Sequence, residues 1–186
     1  MMRPLLRLAA SAMLPLAVAG CAVNPVTGHR ELSLVSANQE MNIGRDGYGA
    51  VLSEYGKVGE AALAAYVDSG GPRVARPSHL PNLEWHFTLL DDPAVNAFAM
   101  PGGYIYITRG ILAHLNSEAQ LAGVLGHEIG HVTARHSARQ ITQQQLAVLG
   151  LGVASALSQT VQQYSQAAQS ALGLLFLKYG RDDETQ

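Results

Sequence analysis

The stretch Leu125-Gly126-His127-Glu128-Ile129-Gly130-His131 constrains this chain more than any other. It lies in a segment whose apolar residues, Leu121, Val124, Leu125, Ile129 and Val132, recur at helical spacing and predict a buried helix. On that helix His127 and His131 sit one turn apart on one face, with Cβ atoms roughly 5–6 Å apart, so both imidazoles can reach one ion. Glu128 stands beside them. The set suits a zinc hydrolase: two neutral imidazoles at about 2.0–2.1 Å, an open position for water, and a carboxylate to take its proton. The spacing also fits a helix with two surface histidines, so the surrounding sequence has to decide.

The helix has a clear start. Ser117 can cap it, Gln120 can reach back to complete a capping box, and Glu118 complements the positive end of the dipole. Gly123, Gly126 and Gly130 fall within about 60° of one another beside the histidine face, each costing about 0.5–1 kcal/mol relative to alanine. Close approach of another backbone is the expected reason, with room for substrate as the alternative; on the packing reading, Gly130→Leu unfolds the site. His136 follows His131 by five residues and on a continuous helix points roughly 140° away. It is therefore expected to pack or hydrogen-bond behind the ligands rather than to serve as a ligand.

A catalytic zinc needs a third protein ligand. Downstream, Leu146, Leu149, Val153, Leu157 and Val161 form one apolar stripe and Ala168 to Tyr179 another, which predicts two amphipathic helices. The second can fold back antiparallel and bring Glu184 of Arg181-Asp182-Asp183-Glu184 to the histidines. The same acidic cluster also fits a solvated helix end.

Upstream, Leu83 to Leu90 reads as a strand, and Val95 to Met100 and Tyr104 to Thr108 as two more, joined by Pro101-Gly102-Gly103. That short glycine loop predicts an antiparallel hairpin. A sheet edge beside a metal cleft can bind an extended peptide by strand addition, which makes Asn96, Ala97 and Phe98 candidate substrate contacts. A buried structural role for Asn96 is equally open, and His86 reads as a surface or satisfied histidine. Ser36 and Gln39 mark another helix start, although glycines at 44, 47, 49, 56 and 59 argue against a long helix. Glu60 to Val67 predicts a short helix closed by Ser69-Gly70-Gly71-Pro72.

With 186 residues, 48% of them hydrophobic, the chain can bury the core of one domain. A net charge of −2 with 14% charged residues leaves no basic stripe, which excludes nucleic acid as a partner. Met1 to Gly20 has Arg3 and Arg7, then an apolar run from Leu8 to Ala19 that is short of the roughly 20 residues needed to span a bilayer. It reads as a secretory signal. Val18-Ala19-Gly20-Cys21 resembles a bacterial lipobox, which makes Cys21 the lipidated first residue of the mature chain; a signal that merely ends near a cysteine is the alternative. Cys21 is the only cysteine, so no intrachain disulfide forms. Acyl chains contribute roughly 0.8 kcal/mol per buried CH₂ and tether a soluble domain stably when there is more than one. Ala22 in the next position resembles an outer-membrane destination. Residues 21–35, with turn chemistry at Asn24-Pro25-Val26-Thr27-Gly28, read as a lipidated spacer before a metallopeptidase domain over 36–186.

Three motifs together resemble one family: Asn24-Pro25-Val26-Thr27-Gly28, then Val95-Asn96-Ala97-Phe98-Ala99-Met100-Pro101-Gly102-Gly103, then Leu121 to His131 with Arg135-His136. They resemble the HtpX/Oma-type zinc metallopeptidases, related to the CAAX prenyl proteases and Ste-type endopeptidases, and especially their periplasmic lipoprotein members. The resemblance implies an α+β, predominantly helical, zincin-like (gluzincin) fold with a small antiparallel sheet or hairpin beside the metal helix. It also implies one Zn²⁺ per chain held by His127, His131 and a glutamate from a Glu-x-x-Ala-Asp stretch. Tyr179 to Gln186 looks like the lead-in to that stretch plus its glutamate, Glu184, after which the sequence given ends without the Ala-Asp pair. The expectation is a C-terminally truncated chain with a weakened site.

The expected chemistry is hydrolysis of peptide bonds in misfolded or misassembled envelope proteins, with Glu128 as general base on a zinc-bound water. Expected partners are polypeptide substrates, the membrane through the lipid anchor, and outer-membrane assembly machinery. A non-catalytic chaperone or assembly lipoprotein is the rival, and a lipoprotein whose zinc only staples the fold is a third reading.

Overall fold

The computed structural model describes residues 21–157, the last seven as backbone only. The signal segment 1–20, the second downstream helix and Glu184 lie outside the described residues. A two-stranded antiparallel ribbon comes first, β1 (Cys21–Val23) with β2 (Arg30–Leu32). Helices α1 (Ala37–Tyr55) and α2 (Ala61–Ala75) follow, then β3 (His86–Leu90), β4 (Ala97–Met100) and β5 (Tyr104–Thr108). The short α3 (Arg109–His114) leads into α4 (Glu118–Thr133), the helix carrying the paired histidines, and then α5 (His136–Leu157). Among the described residues, no helix is long and apolar enough to cross a membrane.

β5 is the middle strand. The expected hairpin is present, with β4 antiparallel to β5, while β3 runs parallel to β5 on the other side, so the sheet is mixed. Period-two alternation then sorts the side chains. On one face Phe87, Leu89, Ile105 and Ile107 pack with Val67 of α2 and Leu121, Leu125 and Ile129 of α4. On the other, Tyr104, Tyr106 and Phe98 stack against Tyr48 and Tyr55 of α1. Burial among these rings, reinforced by Tyr48 and Tyr104, pushes the Tyr106 hydroxyl up to about 12. The sheet is thus covered by α2 and α4 on one side and α1 on the other. Each fully buried leucine or isoleucine contributes roughly 1.5–3 kcal/mol, so this two-sided burial anchors α4.

Both upstream helices are longer than expected. The Ser36–Gln39 capping box forms, but α1 runs through Gly44 and Gly47 to Tyr55. A Cβ at Gly44 would sit 2.1 Å from the Pro101 carbonyl oxygen, so the glycine is where the hairpin loop presses on the helix. Gly102, at φ 81°, meets α1 from the loop side, where a Cβ would come within 2.6 Å of Met41 Cα. Likewise α2 does not close at Ser69-Gly70-Gly71-Pro72 but continues to Ala75 with Pro72 inside it. Val67, Gly71 and Ala75 form a buried stripe, and Gly71 lies flat on the Phe87 ring, where a Cβ would come within 2.2 Å. Packing on the sheet here outweighs local breaker signals worth about 1–3 kcal/mol each.

Residues 21–35 are built into the domain rather than forming a slack spacer. Leu34 N–H donates to Thr142 Oγ1 (3.0 Å), Arg139 pairs with Glu31 (3.2 Å), and Val35 is buried.

Candidate metal centre

The start of α4 is closed by its own neighbours. Ser117 accepts from Gln120 N–H, and Gln120 Oε1 accepts from Asn116 N–H at 2.6 Å, one residue further back than a capping box requires. Because Leu121, Leu125, Ile129 and Val132 are committed to the core, the histidines take the remaining side of the helix. His127 Nε2 and His131 Nε2 converge to 3.0 Å with ring planes at 89°. Two imidazoles on one tetrahedral ion at about 2.0–2.1 Å place their nitrogens about 3.3 Å apart, so the donor pair fits a shared ion with a small adjustment. Glu128, next to His127, is only 7% exposed. Among the described residues no set of three metal-binding side chains is assembled, and the expected third ligand, Glu184, lies outside them.

The other end of α4 departs from expectation. Arg135 adopts φ 55°, in the left-handed region that breaks a helix, so α4 and α5 are separate. The premise of one continuous helix fails, and His136 swings back until its Nδ1 is 2.8 Å from His131 Nδ1, the ring centroids 5.0 Å apart. Arg135 is locked in place by remote groups. Its Nε donates to Glu40 Oε1 at 2.7 Å, its Nη2 donates to the same oxygen, and Nη2 also reaches the Val35 carbonyl at 2.9 Å. Burial pushes the Glu40 carboxyl above its ordinary 4.5, while the Arg135 hydrogen bond and charge pull it down.

Asn24 supports the same corner. It is 2% exposed, its Nδ2 donates to the Ala134 carbonyl (3.2 Å) and to Glu31 (3.0 Å), and its Oδ1 accepts from Val26 N–H (2.9 Å) and Thr27 N–H (3.2 Å). One side chain thereby takes up a carbonyl at the end of the metal helix and folds the ribbon turn. That turn forms one wall of a cleft of about 310 Å³, in which Asn24, Val26 and Thr27 face His127, His131 and His136. His79 also lines it. Reading residues 24–28 as spacer chemistry missed this wall, although an asparagine followed by proline and glycine in an otherwise apolar stretch marks a side chain that organises a turn. Nothing around His79 in the sequence signals its place.

At the sheet edge, β4 is the outer strand, as expected. Asn96 pairs with Thr108 through backbone and hydroxyl, so by antiparallel alternation the backbone groups of Ala97 and Ala99 face away from β5. Ala97 packs toward the α4 side of the sheet. The Phe98 ring instead stacks on Tyr106 with centroids 4.9 Å apart on the α1 face, so its side chain cannot contact a substrate beside α4. Asn96 is exposed, which removes the buried structural alternative. His86 stacks on Tyr104 with centroids 4.3 Å apart, in keeping with a satisfied histidine.

Among the described residues no backbone packs closely on the glycines of α4. Among the described residues a Cβ at Gly123 or Gly130 would meet nothing within 4 Å, and one at Gly126 only Val74 at 3.9 Å. Gly130 lies on the cleft wall, a position that accords with the alternative reading, room for substrate.

The family model for peptidase family M48 matches residues 61–186, which contain the sheet, the metal helix and all that follows. The chain belongs to peptidase family M48, a family of metallopeptidases, and its fold is the expected α+β, zincin-like one. It is 36% identical over 120 residues to the mitochondrial metalloendopeptidase OMA1 of Schizosaccharomyces pombe, covering 63% of this chain and 36% of that protein. With OMA1 of Arabidopsis thaliana it shares 45% over 69 residues, 37% of this chain and 14% of that one. Its identity to the beta-barrel assembly-enhancing protease of Escherichia coli K12 is 32% over 121 residues, 65% of this chain and 25% of that one. The matched region is thus about a third or less of each relative's length.

Proposed function

We propose that this chain is a zinc-dependent metalloendopeptidase, anchored by lipid at Cys21 to the periplasmic side of the bacterial outer membrane, that cleaves misfolded or misassembled envelope proteins. The observation that carries the reading is the convergence of His127 Nε2 and His131 Nε2 to 3.0 Å at the wall of a cleft. The family membership and the name of the Escherichia coli relative support the substrate class.

His127, His131 and Glu184 would hold the zinc. When bound, zinc polarises the scissile carbonyl and acidifies water. Glu128 takes the proton from the attacking water and returns it to the leaving nitrogen. With its Nε2 turned to the ion, His131 would carry its proton on Nδ1 and donate it to His136 Nδ1, 2.8 Å away, a contact that would hold the ring orientation. The outward backbone groups of Ala97 and Ala99 receive the substrate as an added strand.

Glu128→Gln in the full-length protein tests this. General-base loss lowers kcat/KM by about 10²–10⁴ while zinc content stays at one per chain. Cleavage at the wild-type rate with zinc retained rules out Glu128 as the base; cleavage that persists in zinc-free protein rules out the metallopeptidase reading.

A further inference from the structure

The ribbon that carries Cys21 has two unlike faces. In the β1–β2 register Cys21 lies opposite Leu32 and Val23 opposite Arg30, so these four side chains share one face. All four are exposed, with Val23 at 55% and Leu32 at 49%. Ala22 and Glu31 point the other way, toward Arg139 and Asn24. Met41, also an exposed apolar side chain, lines a groove with Val23, and the exposed Leu34 follows Leu32 by two residues. One end of the molecule therefore presents an apolar patch carrying Arg30 at its margin.

We propose that this face lies against the phospholipid surface, so that the metal cleft opens beside the bilayer and takes polypeptide segments presented there. The proposal rests on the lipid-anchor reading of Cys21. If Cys21 is acylated, the acyl chains leave the patch itself, and no residue of slack separates anchor from fold, because Cys21 is already in β1 and Asn24, about 10 Å along the strand, is hydrogen-bonded to the end of the metal helix. A domain tethered through its own apolar face gains by lowering that face onto the lipid. Val23 and Leu32 enter the interfacial layer while Arg30 reaches a phosphate. The turn of the same ribbon supplies Val26 and Thr27 to the cleft wall, which fixes the cleft close to the surface.

The test uses the full-length lipidated protein in vesicles of phosphatidylethanolamine and phosphatidylglycerol. Acylation consumes the only native thiol, so an environment-sensitive fluorophore can be placed on a single new cysteine. Val23→Cys and Leu32→Cys report on the ribbon; Glu54→Cys, an exposed position about 25 Å along α1 from its first residue, is the control. The expected result is blue-shifted emission at the two ribbon positions and several-fold stronger quenching by lipid-borne nitroxides than at Glu54. A mass spectrum of the Cys21 peptide separates the two layers of the argument. Unmodified Cys21 overturns the anchor and the proposal with it. Acylated Cys21 with ribbon labels quenched no more than Glu54, whether because they face water or because protein covers them, overturns the membrane-facing orientation alone. Neither result bears on the metallopeptidase reading, which the Glu128→Gln experiment decides.

Discussion

The two ends of the metal helix are held by different means. At its start, Ser117, Gln120 and Asn116 satisfy the free backbone groups within five residues of sequence. At its end, the groups that fix Ala134 and Arg135 come from Asn24, Val35 and Glu40, separated from them by 95 to 110 positions. The first end only begins a helix. The second decides where His136 stands relative to His131, and so the chemistry depends on the end whose supports are remote.

The sharpest way to break this asymmetry is Arg135→Met. It leaves the Glu40 carboxylate buried without its partner and removes the hydrogen bond to Val35, so a loss of about 3–5 kcal/mol is expected in denaturant unfolding. The sign with pH follows from Glu40, whose folded-state pKa already lies above the ordinary 4.5 and rises further without the arginine. A group with a raised folded pKa binds its proton more tightly when folded, so it opposes folding increasingly as pH rises through the window above 4.5. The deficit of the variant should therefore shrink as pH falls toward 4.5. A deficit that stays constant on acidification would mean that the lost Val35 hydrogen bond, not the unpaired Glu40 carboxylate, accounts for it.

Asn24→Ala is the milder break at the same end. It unsatisfies the Ala134 carbonyl and the Val26 and Thr27 amides, for an expected loss of about 1–3 kcal/mol. Because the ribbon turn forms a cleft wall, kcat/KM should fall even under conditions where the variant is fully folded. An unchanged kcat/KM would show that the wall does not touch substrate. At the opposite end, Ser117→Ala removes one cap, costing about 1 kcal/mol in stability. It should leave zinc affinity as it was, and a fall in affinity would show that the two ends are coupled.

The contrast also explains what the sequence could disclose. The start of α4, the hairpin and the paired histidines were legible because each signal is local: a cap and its partner, two glycines between alternating strands, a one-turn spacing. The Arg135 corner was not, since nothing in Ala134-Arg135-His136 requires a left-handed residue; Glu40 imposes it from a segment read as the start of another helix, and Val35 from one read as spacer. For the same reason α1 and α2 overran their glycines and Pro72, whose local cost is outweighed by contacts with Tyr104 and Phe87 that only the sheet supplies. Two proposed functional positions, Glu184 and the signal before Cys21, rest on sequence alone.

Glycine spacing is where local reading misled most, and Gly130→Ala is the smallest and most discriminating change. The spaced glycines at 44 and 71 are contact points, with a Cβ pressed to within 2.1 and 2.2 Å of a neighbour, whereas Gly130 has no described neighbour within 4 Å. Without a clash, alanine in a helix interior is favoured by about 0.5–1 kcal/mol, so Gly130→Ala should stabilise the fold where Gly71→Ala destabilises it. The cost appears in function instead. A methyl group on the cleft wall beside His127 and His131 takes space from the ligand, so KM should rise while zinc content is unchanged. If Gly130→Ala instead lowers stability, then packing by residues 158–186 would account for the glycine; if it stabilises with KM unaltered, the open side of α4 has no part in holding substrate.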